Sequence, residues 1–231
     1  MKTKLIFVRH AEAEGNLKRI FHGWTDGDIT EKGHVQAKLV AERLKDFQID
    51  LLYSSSMKRT ISTAKYISDI KNIPIIRTDK LKEINGGDWE GKNWDQLPHL
   101  WPEEYGTWEN SPHKHRMPNG ETMEDFQKRL IGEIDYIIGN NKGRNICIVT
   151  HGTAIRSLMC YFLHCDLDEM IKIKWYDNTS ITIIEHEKDR FNILLEGDAS
   201  HLGKEYSTIE NQEWWDEYIK KYDNINGKRE A

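Results

Sequence analysis

The sequence opens with a short run of apolar residues that ends abruptly in charged and polar ones. Leu5 to Val8 are apolar and rich in strand-forming residue types, and Arg9 and His10 follow them directly. A continuous apolar run of this length is typical of a buried strand in a parallel sheet. Because ligands in open α/β sheets bind beyond the carboxyl ends of the strands, we expect Arg9 and His10 at the ligand-binding edge.

Further strands and amphipathic helices alternate along the rest of the chain. Apolar runs predict strands at 51–53, 73–76, 145–149, 180–184 and 191–195, the last two as a hairpin. Helical periodicity predicts helices at about 31–46 and 57–70, after Thr122, after Gly152, and at about 208–222. Pro74 places its strand at or near an edge, since proline cannot donate to a central ladder. The alternation predicts an α/β fold, a three-layer α/β/α sandwich with a mostly parallel sheet.

Two stretches of the chain lack a sustained periodicity of apolar residues. Residues 9–29 contain several glycines and predict a long loop, and loops of that length are often functional. Residues 81–120 are rich in tryptophan and proline and predict a lid of short helices and loops, inserted near 84–120. We expect a single domain over residues 1–222, followed by a polar tail at 223–231.

Two of the predicted strands end in the same kind of residue. His10 follows the first strand, and Thr150-His151-Gly152 follows the strand at 145–149. If both strands lie in one parallel sheet, both imidazoles face one crevice, and Arg59, near the start of a helix, faces it too. Histidines and arginines that converge at strand ends and helix N-termini predict an anion site. Glu83, after a predicted strand or turn, is a candidate proton donor to the same place.

Composition limits the classes of partner. The net charge of −5 gives no general reason to expect nucleic acid, so an anionic substrate would have to be attracted by a local basic pocket. Three cysteines in mostly apolar surroundings are typical of reduced thiols in a cytoplasmic protein. No apolar run approaches membrane-spanning length, and no signal peptide precedes the first strand. We therefore expect a cytoplasmic protein that does not bind membranes, either a monomer or a homodimer.

Six motifs stand in one order along the chain and together resemble a known family. They are Arg9-His10-Ala11-Glu12 with Asn16, Gly23-Trp24-Thr25-Asp26, Ser54-Ser55 with Arg59 and Thr63-Ala64, Glu83 to Gly91, Gly120-Glu121-Thr122, and His151-Gly152. The sequence is similar to the histidine phosphatase superfamily, which includes the cofactor-dependent phosphoglycerate mutases. The resemblance covers about residues 4–185.

The resemblance implies a covalent mechanism on a small phosphate monoester. His10 attacks phosphorus, Glu83 protonates the leaving oxygen, and Glu83 later acts as the base that activates water. The catalytic residues implied are His10, Glu83, Arg9, Arg59 and His151, and the substrate-binding residues expected are Arg9, Asn16, His22, Gly23, Arg59, His151 and Gly152. No metal or cofactor is expected, because arginines can neutralise the charge on the transferred group.

The sequence departs from the family pattern where substrates are distinguished. Ala11 replaces the usual glycine, and Ala13 removes a hydroxyl group from the loop. The glycolytic mutases have Arg and Tyr after the acid to bind a carboxylate, whereas this chain has Ile84-Asn85-Gly86-Gly87. This difference favours a phosphatase over a 2,3-bisphosphoglycerate-dependent mutase, although the basic cluster His113–Arg116 offers an alternative carboxylate site. The physiological ester is not determined by the sequence.

Three other functional interpretations each fit part of the sequence. Asp26-Gly27-Asp28-Ile29-Thr30 fits the nucleophile motif of haloacid-dehalogenase-type phosphatases, but that motif requires a preceding apolar strand, which His22-Gly23-Trp24-Thr25 does not predict. His113 and His115 are spaced like half of a metal site. A non-catalytic phosphate-binding protein would keep the pocket, but it would be expected to lose His10 or Glu83 first.

Overall fold

The computed structural model describes residues 1–226. The strands are β1 Thr3–Arg9, β2 Leu51–Ser55, β3 Ile75–Thr78, β4 Asn145–Thr150, β5 Ile181–Glu187 and β6 Arg190–Asp198. The α-helices are α1 Glu14–Leu17, α2 Glu31–Arg43, α3 Lys58–Lys71, α4 Leu97–Leu100, α5 Pro102–Asn110, α6 Met123–Asn140, α7 Gly152–Phe162, α8 Gly203–Tyr206 and α9 Trp215–Asn226.

The strands form one mixed sheet in the order β3-β2-β4-β1-β5-β6. The pairs β3–β2, β2–β4 and β4–β1 are parallel, while β5 and β6 are antiparallel and form the predicted hairpin. Because β1 and β4 are neighbours in register, with Arg9 opposite Thr150, the residues that follow both strands emerge side by side. The strand that contains Ile75 lies at the edge, as the nearby proline predicts.

Alternate residues of β1 contribute to apolar clusters on opposite faces of the sheet. Leu5 and Phe7 pack in a cluster with residues of α6 and α7, whereas Ile6 and Val8 pack with residues of α2 and α3. All four side chains are at most 1% exposed, as expected for a strand covered on both faces. The three-layer α/β/α architecture predicted from the sequence is therefore confirmed.

The lid is built around an aromatic cluster that is continuous with the apolar core on one face of the sheet. It contains α4, α5 and several short 3₁₀ turns, around a fully buried Trp89. The rings of Trp94, Trp108 and His115 lie 5.0–6.5 Å from the Trp89 ring, centroid to centroid. Trp89 belongs to the same apolar cluster as Phe7 of β1, which ties the lid to the sheet. This supports the single domain expected over 1–222, which stays a prediction.

Two local predictions were wrong in detail. The stretch 9–29, which the sequence predicts to be a loop, contains the one-turn helix α1. The last helix begins at Trp215 rather than near 208, because Asp177 Oδ1 accepts hydrogen bonds from the backbone amides of Thr208 and Ile209 and holds them in a turn. Residues 223–226 continue that helix instead of starting the polar tail, and the rest of the tail lies outside the described residues.

Candidate active site

The two histidines that follow β1 and β4 lie against each other. The backbone amide of His10 donates to the carbonyl oxygen of Thr150 at 2.9 Å, which extends the parallel pairing by one residue. The ring centroids of His10 and His151 are 5.3 Å apart. Both side chains are almost completely buried, with exposures of 3% and 0%. The convergence predicted from the strand ends is thus present.

The His10 ring is oriented by the chain that follows it. Its Nδ1 lies 2.8 Å from the carbonyl oxygen of Ala11, so Nδ1 is assigned as the protonated nitrogen and donates this bond. Burial first, and then the positive charges of Arg59 and Arg9, hold the pKa of His10 well below its usual value. A neutral ring with Nδ1 protonated leaves the Nε2 lone pair available as a nucleophile.

Arg9 has donors that the protein does not use. Its Nη1 donates to the carbonyl oxygen of Tyr176 at 2.6 Å, while its buried Nε has no hydrogen-bond partner among the described residues. Gly152 allows the guanidinium to approach the start of α7, because a Cβ there would lie 3.2 Å from Arg9 Nε and 3.1 Å from the Trp175 ring. A buried cation with an unpaired donor is suited to an anionic ligand.

Arg59 lies in the first turn of α3 and joins the site to the loop between β1 and α2. Its Nη2 and Nη1 donate to the carbonyl oxygens of Gly23 at 2.7 Å and Thr25 at 3.0 Å. Burial lowers the pKa of Arg59 to about 10, so the group remains charged near neutral pH. Gly23 is required here because a Cβ at this position would lie 2.0 Å from the carbonyl oxygen of Ile84.

His151 is held between two side chains. Arg59 Nε donates to His151 Nδ1 at 3.3 Å, which assigns the ring proton to Nε2, and Nε2 then donates to Ser55 Oγ at 2.9 Å. Burial and the Arg59 charge lower the pKa of His151 well below its usual value. The ring is therefore neutral, and its two nitrogens contact protein side chains, one from α3 and one from the end of β2.

Glu83 reaches the N-terminus of α7. Its Oε2 accepts from the backbone amide of Thr153 at 3.0 Å, and its Oε1 accepts from the amide of Ile84 at 3.0 Å. Burial raises the pKa of Glu83 despite these two hydrogen bonds, which act in the opposite direction. A carboxyl group with a raised pKa, bonded to the backbone two residues after His151, has the properties of a general acid.

The other predicted binding residues differ in their surroundings. The His22 ring lies 6.0 Å from the His10 ring, and burial lowers the pKa of His22 to about 3. Asn16 Oδ1 accepts from the backbone amide of Ala13 at 3.0 Å, which is a local contact at the start of α1. The structure therefore brings His22 to the site, whereas contact of Asn16 with a substrate stays a prediction.

Sequence reasoning missed several groups that hold the site together. Ser55 and Thr153, described above, were not singled out as site residues. Glu90 accepts from the backbone amides of Trp24 at 2.7 Å and Gly86 at 2.9 Å, and so joins the loop before α2 to the turn after Glu83. The sequence signal for Glu90 was its position in the motif from Glu83 to Gly91, but the motif does not reveal the partners of Glu90.

Two of the alternative sites have no structural support. Asp26 follows no strand, as the sequence predicts, and its Oδ1 accepts from the amide of Lys58 at 2.7 Å, so the haloacid-dehalogenase motif has no structural support. His115 is buried in the lid, where its ring contacts the Glu104 carbonyl oxygen and Met117 Sδ. Within residues 1–226, no group of three or more histidine, cysteine or acidic side chains is arranged to hold a metal.

Comparison with known proteins identifies the family. The model of the histidine phosphatase superfamily (branch 1) matches residues 5–199, and the chain belongs to this superfamily. The chain is 34% identical to phosphoserine phosphatase 1 of Hydrogenobacter thermophilus, over 88% of this chain and 96% of that protein. It is 32% identical to a 2,3-bisphosphoglycerate-dependent phosphoglycerate mutase of Bartonella tribocorum, over 69% of this chain and 81% of the mutase.

Solved structures agree with this membership. The structure of Bacillus stearothermophilus YhfR superposes with a TM-score of 0.83 and 34% identity, covering 86% of this chain and 98% of that one. The resemblance predicted from the motifs is confirmed, and so is the prediction of a phosphatase for a small phosphorylated metabolite. Among residues 1–226, no helix combines the length and apolar character needed to cross a bilayer.

Proposed function

We propose that this protein is a metal-independent phosphomonoesterase that works through a phosphohistidine on His10. The observation that carries the proposal is the state of the His10 ring: neutral, with Nδ1 bonded to Ala11, beside two buried arginines. Phosphoryl transfer depends mainly on positioning and on neutralising charge over three oxygens. Arg9 and Arg59 supply that charge from fixed positions.

The proposed reaction has two steps. In the first, His10 Nε2 forms a bond to phosphorus, the bond between phosphorus and the ester oxygen breaks, and Glu83 gives its proton to that oxygen. In the second, water attacks phosphorus, its proton passes to the Glu83 carboxylate, and the bond between phosphorus and Nε2 breaks. Inorganic phosphate leaves, and His10 and protonated Glu83 are restored.

Arg9 and Arg59, which we call the phosphate clamp, have N–H donors that are not bonded to the protein and can bind phosphate oxygens. Arg9 keeps its Nε and Nη2 groups beyond the bond to Tyr176. Arg59 has five N–H groups and uses three of them on Gly23, Thr25 and His151. The N-terminus of α7 also favours a nearby anion, although its Thr153 amide is already bonded to Glu83. For His151 to bind an oxygen directly, as the sequence predicts, its Nε2–H would exchange Ser55 for phosphate.

The surroundings of Glu83 favour a phosphatase over a mutase. Ile84 is fully buried, and the next residues carry no cationic side chain that could bind a glycerate carboxylate. His115, part of the cluster proposed as an alternative carboxylate site, is only 1% exposed and packs on Trp89 and Trp108. The similarity to phosphoserine phosphatase 1 makes phosphoserine the first monoester to test.

Substrate tests distinguish the two activities. The purified protein, in excess EDTA, is incubated with phosphoserine, 3-phosphoglycerate and p-nitrophenyl phosphate, and the release of phosphate is measured. We expect turnover that survives EDTA, with no efficient conversion of 3-phosphoglycerate to 2-phosphoglycerate. Rapid interconversion primed by 2,3-bisphosphoglycerate would contradict the phosphatase assignment, and loss of turnover in EDTA would contradict the metal-independent mechanism.

Removing one arm of the clamp should slow the reaction strongly. We expect Arg59→Ala to lower kcat/KM roughly 10²- to 10³-fold, because it removes donors to the charged oxygens. The matched control is Arg77→Ala, which changes an exposed arginine on β3. Thermal unfolding of both variants separates a loss of activity from a loss of folding. An effect below about threefold would place Arg59 outside the phosphate site.

Location and assembly are further parts of the proposal. Cys147, Cys160 and Cys165 are free thiols, in keeping with a reducing cytoplasmic compartment. A monomer or a homodimer without a nucleic acid partner remains the expectation from the sequence.

A further inference from the structure

The guanidinium of Arg129, on α6, is fully occupied by one short stretch of chain and one carboxylate. Nε and Nη2 each donate to Glu121 at 2.9 Å. Nη1 donates to the carbonyl oxygens of Lys80 at 2.9 Å and Lys82 at 3.1 Å, and Nη2 also donates to that of Glu83 at 3.2 Å. A guanidinium has five N–H donors, so all of them are used.

Glu121 forms hydrogen bonds with the backbone next to the same stretch of chain. Its Oε2 accepts from the backbone amide of Asn85 at 2.8 Å, and its own amide donates to the carbonyl oxygen of Asn85 at 3.0 Å. The side chains of Arg129 and Glu121 are only 20% and 19% exposed, and a bidentate pair of this kind has a well-defined geometry. The pair therefore fixes the backbone on both sides of Glu83.

The carboxyl group of Glu83 depends on that backbone for its location. It is held by two backbone amides, and one of them, from Ile84, belongs to the same stretch as Glu83. The other, from Thr153, belongs to α7 and lies beside His151. If the segment 80–85 shifts, the carboxyl group moves relative to His10 and to any leaving oxygen bound between them.

We propose that Arg129 is a positioning residue for proton transfer, acting through Glu83 without touching the substrate. The inference rests on the proposed function, since it assigns Arg129 a part in the acid step described above. Lysine cannot replace it, because an ammonium group has three donors and lacks the planar fork that spans Glu121 and three carbonyl oxygens. The charge would be kept, but the geometry would be lost.

The test is a double-mutant cycle read with two esters. For an alkyl ester, phosphoserine, we expect Arg129→Lys to lower kcat about 10- to 100-fold, the effect of a misplaced catalytic group, with KM little changed. For p-nitrophenyl phosphate, whose leaving group needs little protonation, the loss should stay below about threefold. In a Glu83→Gln background the same substitution should change kcat for phosphoserine less than about threefold.

Controls make each outcome decisive. Arg77→Lys, a matched change at an exposed site, should leave both esters unaffected. Glu121→Gln keeps one acceptor oxygen for Arg129, so it should lower kcat less than Arg129→Lys does, and again more for phosphoserine than for p-nitrophenyl phosphate. This variant replaces Arg129→Lys in the test if Arg129→Lys folds poorly. Equal losses for both esters, or a loss that persists in the Glu83→Gln background, would overturn the inference.

The cycle also separates this inference from the proposed function. If Glu83→Gln alone slows both esters equally, the acid role of Glu83 is wrong. In that case the comparison of esters no longer tests Arg129, and the non-additivity of Arg129→Lys with Glu83→Gln alone decides whether Arg129 acts through Glu83.

Discussion

We expect His10→Ala to lower turnover of every phosphate ester by more than about 10⁴-fold, because a covalent route fails without its nucleophile. The neighbouring groups cannot substitute. The His151 ring has Nδ1 bonded to Arg59 and Nε2 bonded to Ser55, so its lone pair already accepts a hydrogen bond. The His22 ring has Nδ1 bonded to the Ile20 carbonyl oxygen, and its centroid lies 6.0 Å from that of His10, so its Nε2 does not occupy the place of the His10 nucleophile. Turnover is measured by phosphate release at saturating substrate.

A direct test accompanies the kinetics. Wild-type protein mixed briefly with phosphoserine and quenched in alkali should carry acid-labile phosphate on His10, located by peptide mass spectrometry. His99→Ala, at an exposed position on α4, is the matched control and should keep both label and turnover. Label on an aspartate or on His151, or undiminished turnover in His10→Ala, would show that another residue is the nucleophile.

The residues at the centre of the site could be predicted from the sequence because they lie at the ends of strands. Arg9 ends β1, His10 and His151 directly follow β1 and β4, and the parallel pairing of these strands brings their ends together whatever the conformation of the loops. The helices α2 and α6 were also predictable, because their apolar periodicity is accompanied by the side-chain caps Thr30 and Thr122. These features depend on local pattern and on sheet geometry, which a sequence carries.

The supporting contacts were not predictable for a physical reason. Ser55, Glu90 and Arg129 act through partners far away along the chain: Ser55 meets His151 from another strand, and Arg129 reaches back to the carbonyl of Glu83. Serine, glutamate and arginine are common on surfaces, so residue type alone does not reveal such a role. The late start of α9 has a similar cause, because Asp177 captures the amides of Thr208 and Ile209 from a distant loop.

The other large effect concerns the proton that the leaving group needs. We expect Glu83→Gln to lower kcat/KM for phosphoserine on the order of 10³- to 10⁴-fold, the upper range for loss of a general acid. An alkoxide leaves poorly without a proton, whereas p-nitrophenolate is a stable anion. The loss for p-nitrophenyl phosphate should therefore stay within about tenfold. Gln is nearly isosteric, so its amide oxygen can still accept from Thr153 and the fold should be kept.

The pH dependence of kcat/KM for the two esters tests whether Glu83 acts as the proton donor. Burial raises the pKa of Glu83, so the acid form persists to higher pH than for an exposed glutamate. As pH rises through that pKa, the wild-type ratio of kcat/KM for phosphoserine to that for p-nitrophenyl phosphate should fall. In Glu83→Gln the ratio should be low and independent of pH, since glutamine does not titrate. The matched control is Glu90→Gln, which changes a carboxylate that accepts hydrogen bonds from two loops. This variant should keep the wild-type pH dependence of the ratio. Equal losses for both esters would mean that Glu83 positions the phosphate and donates no proton.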